Sequence, residues 1–202
     1  MPETFDLLIK GATLVNHAGE GLADIGVKDG RIVAIGSYAS HSAGRTIDAV
    51  GLQVLPGVID TQVHFREPGL EHKEDLQSGS RSAVLGGVTA VFEMPNTKPA
   101  TVSAGALADK VARGRGRMYC DFAFFVGATR ENVEELPRLE KLPGAAGIKV
   151  FMGSSTGDLL VDDEETLARI LALIERRAAY HAEDEARLRE RASLRRDGDP
   201  AS

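Results

Sequence analysis

The first third of the chain is written in short alternating stretches. Phe5-Asp6-Leu7-Leu8-Ile9-Lys10 and Ala12-Thr13-Leu14-Val15 read as strand on either side of Gly11. Ala23–Lys28 and Arg31–Gly36 flank Asp29-Gly30, a dipeptide that supplies the positive φ angles of a tight hairpin turn. Thr46–Ala49 and Leu52–Leu55 add further strand, so residues 1–54 are expected to form a small all-β domain. After Pro56-Gly57 the period changes. Apolar runs at 58–65, 88–92, 118–126, 146–151 and 178–182 predict five strands. Between them lie helical patterns: 73–85 ending at Gly86-Gly87, a helix capped by Ser103, a short helix from Thr129 that stops before Pro137, and an amphipathic helix capped by Asp162 or Asp163. Strand and helix alternating in this way predict a parallel sheet with helical crossovers over residues 55–202. The last stretch, Glu183 to Ser202, interleaves arginines with acids and reads as a solvated face or loop.

Composition narrows the classes. Of 202 residues, 43% are hydrophobic and 27% charged, which suits a globular domain with a core. A net charge of −6 argues against a nucleic-acid partner. No apolar run approaches the roughly 20 residues of a membrane span. The first residues lack the basic start and apolar stretch of a signal peptide, so a cytoplasmic location is expected. One cysteine, Cys120, excludes an internal disulfide framework and a cysteine zinc knuckle.

The densest chemistry follows the first strand of the second segment. Gln62, His64 and Arg66 alternate in Gln62-Val63-His64-Phe65-Arg66-Glu67-Pro68-Gly69 and so share a face. In a parallel sheet the C-terminal strand ends are where ligands bind. An imidazole there is a metal ligand, and an arginine two residues on can clamp a carboxylate. Glu93-Met94-Pro95-Asn96-Thr97-Lys98-Pro99 is a proline-stiffened loop in which Asn96 both donates and accepts. Lys149 lies between Ile148 and Val150, where burial lowers a lysine's pKa and frees its amine for chemistry, such as carbamate formation with carbon dioxide. His181 ends the fifth strand beside Glu183-Asp184-Glu185. Each residue alone also suits a structural role. Together His64, Lys149 and His181 end three different strands, as a metal site at the mouth of a barrel requires.

These motifs resemble the N-terminal part of a dihydroorotase of the amidohydrolase superfamily. The resemblance covers the whole chain and rests on His64–Gly69, Lys73-Glu74-Asp75, Gly86-Gly87-Val88-Thr89 and Met94–Pro99. It favours dihydroorotase over the related allantoinases and hydantoinases. It implies a partial (β/α)8 TIM-type barrel of about five βα units after a small β-sandwich-like domain. It further implies zinc, two ions per complete site, held by His64, a carbamylated Lys149 and His181. Arg66 and Asn96 would hold the substrate carboxylate. The implied reaction is the reversible hydrolysis of dihydroorotate to carbamoyl aspartate in pyrimidine biosynthesis.

Two departures qualify the expectation. The family carries His-x-His where this chain has Gln62-Val63-His64, and an amide oxygen is a poorer zinc ligand than imidazole. A full barrel takes roughly 250 residues. The family's strand-six histidine and its general acid–base aspartate on strand eight would lie beyond Ser202, so the chain alone is expected to be inactive and poorly soluble. The alternatives are a non-catalytic scaffold for an aspartate carbamoyltransferase and a related cyclic amidase such as an allantoinase. A homodimer is a further expectation.

Overall fold

The computed structural model describes residues 5–153, 159–194 and 196. The expectations for Met1–Thr4, for Arg195 and for Asp197-Gly198-Asp199-Pro200 lie outside the described residues. The chain divides into two compact units, Met1–Gly57 and Val58–Ser202.

The first unit is a five-stranded sheet. β1 (Phe5–Asn16) pairs antiparallel with β2 (Gly19–Lys28), which pairs with β3 (Arg31–Gly36). On its other side β1 runs parallel to β4 (Ala43–Asp48) and β5 (Gln53–Val54). The Gly11 break is a bulge inside one long strand, with the register shifting between Ile9 and Ala12. Asp29 and Gly30 take φ of 51° and 71°, the backbone that their hairpin turn requires. The buried Asp24 carboxylate accepts from the amides of Gly11 and Tyr38, and these bonds hold it below the usual carboxylate range.

The second unit is a parallel five-stranded sheet in the order β10-β9-β8-β7-β6. Its strands are β6 (Val58–Val63), β7 (Val88–Glu93), β8 (Asp121–Gly127), β9 (Ala145–Phe151) and β10 (Ala178–His181). The crossovers carry α1 (Leu76–Leu85), α2 (Ala104–Gly114), α3 (Leu136–Leu139) and α4 (Glu164–Leu173), and α5 (Glu185–Ala192) follows β10. The curled sheet with helices on one side is a partial TIM barrel.

Local chemistry sets the boundaries. Asp75 caps α1 by accepting from Gln77 and Ser78, so the helix starts three residues later than the pattern from Lys73 suggests. Ser103 and Asp163 cap α2 and α4. The helix expected to stop before Pro137 instead runs through it. A 3-10 turn at Val133–Glu135 leads into α3, where Pro137 sits in the first turn and needs no amide hydrogen. The core lies between helices and sheet. Leu76, Leu107, Leu136, Leu139 and Ile170 pack on Val91, Phe124, Val126, Ile148 and Val150, all fully buried. Each such side chain stabilises the fold by about 1.5–3 kcal/mol.

Candidate active site

Strand alternation sorts the sheet into two faces. Val91, Phe124, Val126, Ile148 and Val150 face the helices. Lys149 and Phe151 therefore take the other, inner face. The β9–β10 register sets Phe151 opposite His181, so His181 shares that face. On β6, Val63 pairs with Glu93 and packs on the helix side, which turns Gln62 and His64 inward. The three strand-end candidates, His64, Lys149 and His181, thus share one face at the C-terminal edge of the sheet.

His64 Nδ1 lies 2.9 Å from Asn96 Oδ1. A carbonyl oxygen only accepts, so Nδ1 carries the hydrogen and Nε2 keeps its lone pair. Burial lowers the His64 pKa, and the positive charges of Arg66 and Lys149 lower it further. The ring is therefore neutral at neutral pH and able to ligate. Lys149 is 2% exposed. Burial pulls its pKa down, and among the described residues no carboxylate pairs with it. Its Nζ sits 5.0 Å from the centre of the Phe151 ring, and the His181 ring lies 5.9 Å from the same ring on centroids. Phe151 thus touches both groups. His181 Nε2 is 3.0 Å from Glu183 Oε2, a buried oxygen with no aligned hydrogen bond.

Among the described residues no three His, Cys, Asp or Glu side chains group as a metal site. A metal here would draw on His64, His181 and Lys149, the last as a neutral amine or carbamate. The donor chemistry fits, because one imidazole has a free nitrogen, one amine lacks a counter-charge, and Glu183 has a buried oxygen with unused capacity. Gln62 is exposed, and its backbone amide donates to Asp60.

Three buried contacts lie around the loop after β6 and the end of β7, and sequence reading missed all of them. Phe65 is buried against α1, where Gly79 leaves a notch; a Cβ at Gly79 would overlap the ring. Gly79→Val is expected to cost about 1–3 kcal/mol by overpacking. Denaturant titration checks this, and an unchanged midpoint would refute the packing role. Glu67, 4% exposed, accepts from Leu76 N and from both terminal nitrogens of Arg117, at 2.7 and 3.2 Å. Glu93 and Lys110 form an ion pair at 2.8 Å, each 1% exposed. The last was detectable. Lys110 follows Leu107 by three residues on the buried stripe of α2, and a charge there demands a partner.

A cavity of about 1060 Å³ opens beside the loop, with Arg66, Lys73, Asn96, Lys98, Thr129 and Glu131 in its wall. Arg66 and Asn96 therefore meet at one cavity, although Asn96 spends its carbonyl on His64. Among the described residues none accepts from the Asn96 amide nitrogen. His64, Lys149 and His181 are not in the wall of this cavity.

Residues 51–153 match the Dihydro-orotase-like family. An allantoinase of Bacillus velezensis is 36% identical over 187 residues, covering 90% of this chain and 41% of its own. An allantoinase of Escherichia coli O1:K1 / APEC is 37% identical over 162 residues, covering 80% and 35%. An L-hydantoinase (dihydropyrimidinase) structure from Arthrobacter aurescens superposes with a TM-score of 0.88 at 33% identity, covering 94% of this chain and 43% of that one. Fold, strand-end residues and these matches place the chain in the amidohydrolase superfamily. Within it, the chain belongs to the dihydro-orotase-like family of cyclic amidohydrolases. It spans less than half the length of these relatives. The motifs pointed to dihydroorotase before its relatives, whereas these matches carry the names allantoinase and hydantoinase. Among the described residues no helix is long and apolar enough to cross a membrane.

Proposed function

We propose that the full-length protein is a metal-dependent cyclic amidase of the allantoinase and hydantoinase kind, opening a ring amide by hydrolysis. The observation that carries this reading is the shared inner face of His64, Lys149 and His181, with Lys149 buried and, among the described residues, without a carboxylate partner. His64, Lys149 and His181 would hold the metal. When bound, that ion would supply Lewis acidity and a water activated at neutral pH. Asn96 fixes the His64 tautomer, so the free nitrogen is Nε2. Arg66 and the Asn96 amide nitrogen orient the substrate from the cavity beside them, which raises the fraction of bound molecules in attack geometry.

A second reading, dihydroorotate as substrate, is favoured by one feature. Arg66, Lys73 and Lys98 bring three cations to the wall of one cavity, which suits a substrate carboxylate. Assay of the full-length protein on allantoin, hydantoin, dihydrouracil and dihydroorotate separates the readings. Turnover of an uncharged ring supports the first, and a preference for dihydroorotate supports the second. If no ring is opened and no metal binds, both fall and the scaffold reading returns. Arg66→Ala sharpens the choice. With a carboxylate substrate, KM is expected to rise about tenfold to a hundredfold at unchanged metal content, the loss of one charge-assisted clamp. With an uncharged ring, KM should move far less. Loss of metal instead would show that Arg66 does not have this role.

A further inference from the structure

The loop between β6 and α1 is pinned at four consecutive residues, 66–69. Arg66 adopts φ of 69°, a left-handed backbone that a non-glycine residue holds only where its surroundings over-determine it. Its carbonyl accepts from Leu70 N at 3.1 Å. The next side chain, Glu67, is absent from the wall of the cavity that Arg66 lines and reaches the helices instead. Its Oε2 accepts from Leu76 N, the first amide of α1, at 3.1 Å and from Arg117 Nη2 at 3.2 Å, while Oε1 accepts from Arg117 Nη1 at 2.7 Å. A two-pronged contact of guanidinium and carboxylate fixes direction as well as distance. Arg117 comes from the turn after α2, where its own amide donates to Gly114 O. Pro68 O accepts from Lys98 N at 2.9 Å, and Gly69, at φ of 88°, lies so close to Lys98 O that a Cβ would overlap it. Lys98 follows Asn96 by two residues, so these contacts join the loop that carries Arg66 to the loop that carries Asn96.

We propose that the Glu67–Arg117 clamp is a positioning device: it holds the backbone of residues 66–69 and, through Pro68 and Gly69, sets the spacing of Arg66 and Asn96 at the cavity. Glu67 stands between the left-handed Arg66 and the bond from Lys98 to Pro68, so a shift of its backbone moves both. Glu67 and Arg117 are positioning residues, since neither lines the cavity nor stands among the candidate ligands. The kinetic part of this proposal rests on the cyclic amidase reading; the backbone part does not.

The test is Arg117→Met in the full-length protein, which removes the guanidinium and keeps an apolar stem. Arg113, with Nη1 3.7 Å from Glu67 Oε1, remains to offset the buried carboxylate. Amide hydrogen exchange at Leu70 and Lys98 is expected to quicken at least about tenfold relative to that at Val126 in mid-sheet. At parental metal content, kcat/KM should fall by about tenfold to a hundredfold, the effect of misplaced substrate-orienting groups. Parental exchange at Leu70 and Lys98 overturns the proposal, as does an equal rise at all three amides. Quickened local exchange with parental kcat/KM overturns the positioning role. If the parent opens no ring, the amidase reading fails and the exchange measurement alone decides. Should Arg117→Met not fold, Arg117→Lys carries the test, because it keeps the charge and loses the two-pronged contact. Exchange at Leu70 and Lys98 should then rise well beyond that at Val126, and the lack of such a local rise overturns the proposal.

Discussion

Lys149→Ala in the full-length protein is expected to cut kcat/KM by about a thousandfold, equivalent to about 4 kcal/mol of lost transition-state stabilisation, and to lower metal content. The basis is an imbalance in the structure. An ammonium buried at 2% exposure beside an aromatic ring normally carries a carboxylate partner, and among the described residues none is present. Lys110, the other buried lysine, shows the ordinary solution, with Glu93 at 2.8 Å. The fold keeps Lys149 on the inner face, close enough for its charge to lower the His64 pKa. Burial lowers its pKa and raises the share of free amine, the form that ligates or reacts with carbon dioxide. Steady-state kinetics and metal analysis of purified protein check the outcome. A variant within tenfold of the parent, with its metal intact, would remove Lys149 from the site.

How far the sequence reveals this depends on the range of the interaction that fixes each feature. The five strands and the caps at Ser103 and Asp163 follow from local alternation and from side chains bonding amides two or three residues away. The strand-end positions of His64, Lys149 and His181 follow from the same alternation once the sheet is parallel. Pro137 misled because the rule that proline ends a helix does not hold in a first turn, and the turn before it could not be read from composition. The Asn96–His64 bond spans 32 residues and the Glu67–Arg117 clamp spans 50. Neither has a local signature, because only the assembled sheet and its helices bring those groups together. The substrate is harder still. The proposed amide hydrolysis draws on the inner face, where strand alternation puts His64, Lys149 and His181. In the proposed function the choice among cyclic amides is assigned to the cavity wall, whose lysines at 73 and 98 look in sequence like any surface residues.

Lys110→Met alone is expected to destabilise the full-length protein by about 3–5 kcal/mol, the cost of leaving a buried carboxylate without its cation. Against a total stability of about 5–15 kcal/mol that is a large share. The pH dependence tests the cause. Burial already raises the Glu93 pKa above its ordinary value, and removing the Lys110 charge raises it further. A folded-state pKa above the unfolded one gives stability that is present at low pH and lost as pH rises through the folded value. The gap between variant and parent should therefore narrow at about pH 5 and widen toward neutral. Denaturant titrations at the two pH values measure it. A gap independent of pH would point to lost packing of the lysine stem as the cause.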